Sequence, residues 1–170
     1  LGTSASLQVR GLPGRYVIVR VNGIDMNDPS GTQNSFSFGS LTASGIERIE
    51  VLKGSQSALY GSEAIGGVVD ITTFRPTKDG FSTRVESEFG SYGTASSTLS
   101  LGYLTDRAEL AFTYGRTVTE GFSARATDDE DDSFRQTTMT FTGRFDVTDT
   151  FKLGVALNSR DGASEIDRST

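Results

Sequence analysis

The second half of the chain alternates apolar and polar residues with a period of two, which places successive side chains on opposite faces of a β-strand. Each of five segments combines one apolar face with one face of small or polar residues. The alternation predicts an antiparallel sheet in which tight turns at residues 105–107 and 148–150 connect neighbouring strands. The segments are residues 81–89, 94–104, 108–115, 138–147 and 151–158.

The first half of the chain has short β-branched runs separated by turn and loop residues. Residues 7–10 and 16–21 predict two strands. Asn22 and Gly23 follow the second run and form a strong signal for a hairpin turn. Residues 25–39, which are rich in Asn, Ser, Gly and Asp, predict a loop.

Two longer apolar runs, residues 46–52 and 68–72, flank a compact segment with four glycines. Glycine is required where the backbone adopts positive φ or where another surface approaches closely, so this segment predicts a tight, demanding turn. Residues 55–60 predict one helical turn with Ser55 as its cap. The glycines are Gly54, Gly61, Gly66 and Gly67.

Composition argues against several classes of function. The formal net charge is −6, and an acidic chain lacks the basic surface that nucleic-acid phosphates require. Histidine and cysteine are absent, so disulfides, the usual zinc sites and triads with a histidine base are excluded. We therefore expect no enzymatic activity. Since no apolar run reaches the roughly 18–20 residues of a membrane helix, a membrane-spanning interpretation requires a β-barrel.

Residues 44–73 read SGIERIEVLKGSQSALYGSEAIGGVVDITT and carry the most specific motif in the chain. This run resembles the plug domain of TonB-dependent outer-membrane receptors, in particular the receptors for cobalamin and siderophores. Lys53 stands where the family has arginine, Ser55 where proline is common, and Asp70 where asparagine is usual. The resemblance rests mainly on Glu47, Arg48, Lys53, Gly54, Tyr60, Gly61, Gly66 and Gly67.

The resemblance implies a fold and a domain order. Residues 1–75 would be the C-terminal part of an α+β plug domain, residues 76–80 a linker, and residues 81–170 about the first five strands of an antiparallel transmembrane β-barrel. The chain would then be a fragment of a larger receptor, and the plug would lie within the barrel lumen.

The resemblance also implies a function. Such a receptor imports a scarce small molecule, such as a siderophore or cobalamin, across the outer membrane of a Gram-negative bacterium. Its partners would be outer-membrane lipid, the imported ligand, and TonB with the inner-membrane complex that energises it. Nucleic acid is not an expected partner.

The alternation alone leaves a second interpretation open. A soluble antiparallel sandwich also has one apolar and one polar face, so the chain could be a soluble or surface-displayed β-rich binding module. The two interpretations differ at mid-strand positions such as Phe112, because a lipid-facing stripe does not tolerate a charge there.

Three groups of residues are candidates for binding. In family plugs the loop after Gly23 faces the ligand, which suggests ligand contacts for Asn27, Asp28, Gln33 and Asn34; an ordinary surface loop is the alternative. Glu47, Arg48 and Lys53 could contact lumen residues such as Arg84 or Glu86, or could line the wet face of a strand.

The third group is acidic. Cobalamin receptors of this family bind calcium with aspartates in two outer loops, and calcium prefers carboxylate oxygens. The resemblance therefore suggests Ca²⁺ as a ligand of two loops here, although Arg160 replaces an expected tyrosine; a solvated acidic loop is the alternative. The candidate ligands are Asp128, Glu130, Asp132, Asp161 and Asp167.

Overall fold

The computed structural model describes residues 5–28, 35–121 and 133–164. These residues form two compact units. Residues 5–28, 35–41 and 46–73 make up the N-terminal unit, and residues 42–45, 74–121 and 133–164 make up the C-terminal unit.

The N-terminal unit is built on a mixed four-stranded sheet in the order β2-β1-β4-β3. Strands β1 and β4 pair in parallel, and the other two pairs are antiparallel. One helical turn, α1 (Ser57–Tyr60), lies between β3 and β4. The strands are β1 (Val17–Val21), β2 (Ile24–Asp25), β3 (Ile46–Lys53) and β4 (Gly67–Thr73).

The core of this unit lies on both faces of β1 and β4. Val19, Val69 and Ile71 pack with other apolar side chains on one face. Ile18 and Val68 pack with Ala64 on the other face. Because both faces of these central strands are covered, their sequences are nearly continuous apolar runs rather than alternating ones.

The local predictions for this unit had mixed outcomes. The hairpin turn is confirmed, since Val21 pairs with Ile24 and both Asn22 and Gly23 have positive φ. The strand predicted at residues 7–10 is wrong: Val9 makes only an isolated bridge to Leu12. The helical turn begins at Ser57, so Ser55 lies two residues before it rather than at its cap position.

The C-terminal unit contains a five-stranded antiparallel sheet in sequential order. The five predicted strands are confirmed, but the last three are longer than predicted. Backbone hydrogen bonds continue the ladder past the point where apolar alternation ends, because those bonds do not depend on side-chain polarity. The strands are β5 (Gly80–Phe89), β6 (Ala95–Leu104), β7 (Ala108–Thr119), β8 (Phe134–Asp146) and β9 (Lys152–Ser164).

The two predicted tight turns join β6 to β7 and β8 to β9. Thr105 N donates to the Ala108 carbonyl at 2.8 Å, and Thr148 N donates to the Phe151 carbonyl at 3.2 Å. Within the described ranges, no helix is long and apolar enough to cross a membrane.

Candidate functional site

The five-stranded sheet buries polar side chains and exposes apolar ones. Ser100 is completely buried, and Thr113 and Gln136 are nearly so. On the opposite face, Val85 is 71% exposed and Leu157 is 61% exposed. This arrangement is the reverse of a water-soluble sheet, which covers its apolar face.

The strand register aligns the apolar side chains of this opposite face in continuous rows. In one row, Leu101 pairs with Phe112, Phe112 with Phe141, and Phe141 with Leu157. In the neighbouring row, Leu99, Tyr114 and Met139 are successive partners. The rows form an apolar band that crosses at least four strands.

The buried polar face is held by hydrogen bonds between hydroxyl groups. Thr113 Oγ1 donates to Ser100 Oγ at 3.1 Å. Ser96 Oγ lies 3.0 Å from Thr117 Oγ1 and 3.3 Å from Ser44 Oγ. These pairs satisfy groups that would otherwise be costly to bury.

An ion cluster around one mostly buried carboxylate lies at the end of this face nearest the tight turns. The Glu109 carboxylate contacts Arg144 at 2.9 Å and Arg75 at 3.3 Å, and its side chain is only 12% exposed. Sequence reasoning missed this cluster. The only signal in the sequence was that Glu109 and Arg144 each lie on the polar face of their strand. Several charged residues outside the cluster do so as well.

The glycine-rich motif forms a closed turn between β3 and β4. Gly54 N donates to the Gly66 carbonyl at 3.1 Å, and Gly54 has φ +102°. A Cβ on Gly67 would collide with the Leu52 carbonyl oxygen, and Gly61 has φ +97°. Only glycine fits these positions without strain, which explains the motif in terms of backbone geometry.

The charged residues of the motif lie on an exposed strand. Glu47, Arg48 and Lys53 belong to β3, which is at one edge of the four-stranded sheet and exposed along nearly its whole length. Arg48 forms an ion pair with Glu50 of the same strand at 3.2 Å. Their predicted contact with lumen residues remains a prediction.

The predicted ligand-binding residues lie in or near the loop after β2. Asn27 uses its side chain on the backbone of β1: its Nδ2 donates to the Val17 carbonyl, and its Oδ1 accepts from Val19 N, both at 3.0 Å. Asn27 therefore has a structural role at β1. Asp28 is exposed. Gln33 and Asn34 lie outside the described residues.

One candidate calcium ligand is placed differently from the prediction. Asp161 was expected in a loop, but it lies within β9 and pairs with Thr137 because the β8–β9 ladder continues to Ser164. In the described ranges, His, Cys, Asp and Glu form no group of three that could hold a metal ion. The remaining candidates lie outside those ranges: Asp128, Glu130, Asp132 and Asp167.

Comparison with known proteins gives one family. Residues 1–68 match the family model described as TonB-dependent Receptor Plug Domain. The vitamin B12 transporter BtuB of Photobacterium profundum is 33% identical over 182 residues. That alignment covers 99% of this chain and 28% of the relative, so the chain spans little more than a quarter of the relative's length.

Solved receptor structures share the fold. The copper transporter OprC gives a TM-score of 0.74 at 16% identity, over 96% of this chain and 25% of that protein. The pyoverdine outer membrane receptor FpvA from Pseudomonas aeruginosa PAO1, bound to pyoverdine, gives 0.68 at 18% identity, over 94% and 22%. Residues 1–68 are therefore assigned to the TonB-dependent receptor plug domain, and the fold shared with the receptor structures agrees with a plug sheet followed by antiparallel strands.

Proposed function

We propose that this chain is part of a receptor that imports a scarce small molecule across the outer membrane of a Gram-negative bacterium. TonB, driven by its inner-membrane complex, would supply the energy through the plug. The observation that carries the proposal is the inverted five-stranded sheet directly after plug-domain sequence. A soluble binding module would not present its apolar face in this way, and the comparisons favour the receptor.

Lipid is the natural partner of the apolar band. Keeping apolar surface in water costs roughly 25 cal/mol per Å², and a bilayer removes that cost. Strands β5 and β6 have 10 residues each, β7 has 12, and β8 and β9 have 13. These lengths are sufficient for a tilted membrane strand of about 9–11 residues.

A corrinoid such as cobalamin is the preferred ligand, and a ferric siderophore is the second candidate. BtuB of Photobacterium profundum and BtuB of Vibrio vulnificus, both named as vitamin B12 transporters, align with 99% and 98% of this chain. The copper and pyoverdine receptors share the fold at lower identity, which supports a common architecture rather than a common ligand.

The proposal also covers calcium binding and the absence of an enzymatic role. We also propose that Ca²⁺ binds Asp128, Glu130, Asp132 and Asp167, with Asp161, which lies within β9, as a fifth ligand. We propose a transport role and no enzymatic role, because the chain has no histidine or cysteine for the common catalytic sets.

Uptake of labelled cyanocobalamin tests the proposed function. The receptor that contains this chain would be expressed in a strain without its own cobalamin receptor, with and without TonB. We expect TonB-dependent uptake that unlabelled cobalamin blocks and a ferric siderophore does not. Block by the siderophore alone would reassign the ligand. Recovery of the protein from the soluble fraction would contradict the proposal that it is an outer-membrane receptor.

A further inference from the structure

Two chain segments of the C-terminal unit run side by side, one directly before β3 and the other directly after β4. Ile46, the first residue of β3, is paired with Thr73, the last residue of β4. Directly beyond this pair, Phe74 N donates to the Gly45 carbonyl at 2.9 Å. Residues 42–45, which directly precede β3, and residues 74–76, which directly follow β4, are here called the paired segments.

The barrel strands have glycine where the paired segments approach them. A Cβ on Gly115 of β7 would come within 2.6 Å of the Ser44 side chain. A Cβ on Gly102 of β6 would come within 2.8 Å of Pro76 and 3.1 Å of Phe74. Glycine inside a strand often marks such a close approach, so these two positions form a seat for the paired segments.

An ion pair also holds residues 74–76, the segment that follows β4. Arg75 belongs to the paired segments, and its partner Glu109 on β7 is also held by Arg144 on β8. The neighbouring Phe74 ring is buried and lies 4.8 Å from the guanidinium carbon of Arg84 on β5. Strands β5 and β7 thus each contact one of two consecutive residues, Phe74 and Arg75, and β8 supports the β7 contact through Arg144.

We propose that Glu109, Gly102 and Gly115 are positioning residues that hold the paired segments on the barrel strands, so that the β3–β4 end of the plug stays in place while TonB pulls. The proposal rests on the proposed function. The Glu109 carboxylate is 12% exposed and is paired with two arginines whose side chains are 44% and 57% exposed, so loss of both partners would leave a largely desolvated charge. The two glycines contribute because they have no Cβ. Any other residue type would place a Cβ too close to the paired segments.

The test compares charge reversal with charge exchange in the receptor that contains this chain. Glu109→Arg and Arg75→Glu should each open a leak to vancomycin, which is too large for ordinary porins. Because hydrogen bonds to charged groups contribute enough to change a population about tenfold or more, we expect about a tenfold rise in vancomycin entry. The double variant Arg75→Glu/Glu109→Arg restores the pair between positions 75 and 109 but places an arginine opposite Arg144, so it should return entry only part of the way to the unmodified level.

Matched controls separate positioning from general damage. Arg107 and Asp149 form an exposed ion pair in the tight turns, so exchanging their charges should change nothing. Gly115→Val adds a side chain where Ser44 approaches β7 and leaves the charge unchanged. The receptor with this substitution should also admit vancomycin. The leak should need TonB. An equal leak without TonB would indicate a damaged barrel and overturn the proposal, as would unchanged vancomycin exclusion in Glu109→Arg and Gly115→Val.

A second readout keeps the two proposals distinguishable. In the purified receptor, urea should expose the plug to protease at a lower concentration in Glu109→Arg than in the Arg107–Asp149 exchange. If the unmodified receptor imports no cobalamin or siderophore but this urea difference persists, the proposed function fails and the positioning role stands. If import is normal and the urea difference is absent, the positioning role fails.

Discussion

In the plug, the central strands β1 and β4 are apolar on both faces, and both faces are covered; Ile71 is 1% exposed. In the barrel strands, side chains alternate with a period of two, serine and threonine are buried, and Val85 and Leu157 are mostly exposed. Alternation creates two different faces in the barrel strands, but it does not determine which face is covered. The comparison teaches that the medium on each side of a sheet, rather than the period of its sequence, decides which side chains are buried.

Hydroxyl pairing makes the inverted arrangement possible. The plug core needs few polar contacts because its central strands carry almost only aliphatic side chains. In the barrel strands, hydroxyl–hydroxyl bonds such as Thr113–Ser100 replace the water that burial removes. Four substitutions, each with a matched control, test how far the two sheets differ.

The largest effect is expected in the plug core. Ile71→Asp places a carboxylate at a site that is 1% exposed and should destabilise the plug by about 4 kcal/mol or more. Its register partner Ile49 is 52% exposed on the edge strand, so Ile49→Asp should cost less than about 1 kcal/mol. Urea unfolding of the plug measures both values. Equal losses would show that the edge strand is covered in the receptor.

The next effect concerns the apolar band. Phe112→Arg puts a charge at mid-strand and should destabilise a membrane-embedded barrel by about 2–4 kcal/mol. Tyr103→Arg lies near the turn end of its strand and should cost only about 0–1 kcal/mol. Unfolding of the receptor in lipid vesicles gives the difference. A soluble module would tolerate both substitutions alike.

A smaller effect is expected on the buried polar face. Ser100→Ala removes the acceptor of the Thr113 hydroxyl and should cost about 1–2 kcal/mol. Ser97→Ala lies on the opposite, exposed face of the same strand and serves as the control. If Ser100→Ala were as stable as the unmodified protein, the hydroxyl pairs would not be what holds this face.

The smallest effect is expected at Arg48. Its ion pair with Glu50 is exposed, and such pairs contribute about 0–1 kcal/mol, so Arg48→Ala should hardly change the urea midpoint of the plug. The sequence-based hypothesis that Arg48 contacts the barrel lumen gives a different result. If Arg48 does contact the lumen, urea should unfold the plug of Arg48→Ala at a clearly lower concentration than the plug of Glu50→Ala.

Local signals in the sequence were reliable where the backbone has few alternatives. Asn22 and Gly23 both adopt positive φ in the hairpin, as their dipeptide predicts. The glycines around α1 occupy positions that exclude a Cβ or require positive φ. The period of two located all five barrel strands, although it ended β9 too early and so placed Asp161 in a loop.

Contacts between distant positions were beyond sequence reasoning. Arg75, Glu109 and Arg144 are far apart in the chain, Arg75 lies between two strands, and several other charged residues share the strand parity of Glu109 and Arg144. Their cluster exists because the register brings Glu109 opposite Arg144 on neighbouring strands. The bonds of Asn27 to β1 are likewise tertiary, since they depend on where the chain turns back after β2.

By itself, the sequence determined the strand periodicity, the glycine-dependent turns and the plug motif, because these depend on steric limits within a few neighbouring residues. The tertiary structure alone decided which face of each sheet is buried, that β3 is an exposed edge, and which charges meet at Glu109. These features depend on register and on what covers each surface, and both arise only when strands distant in the chain come together.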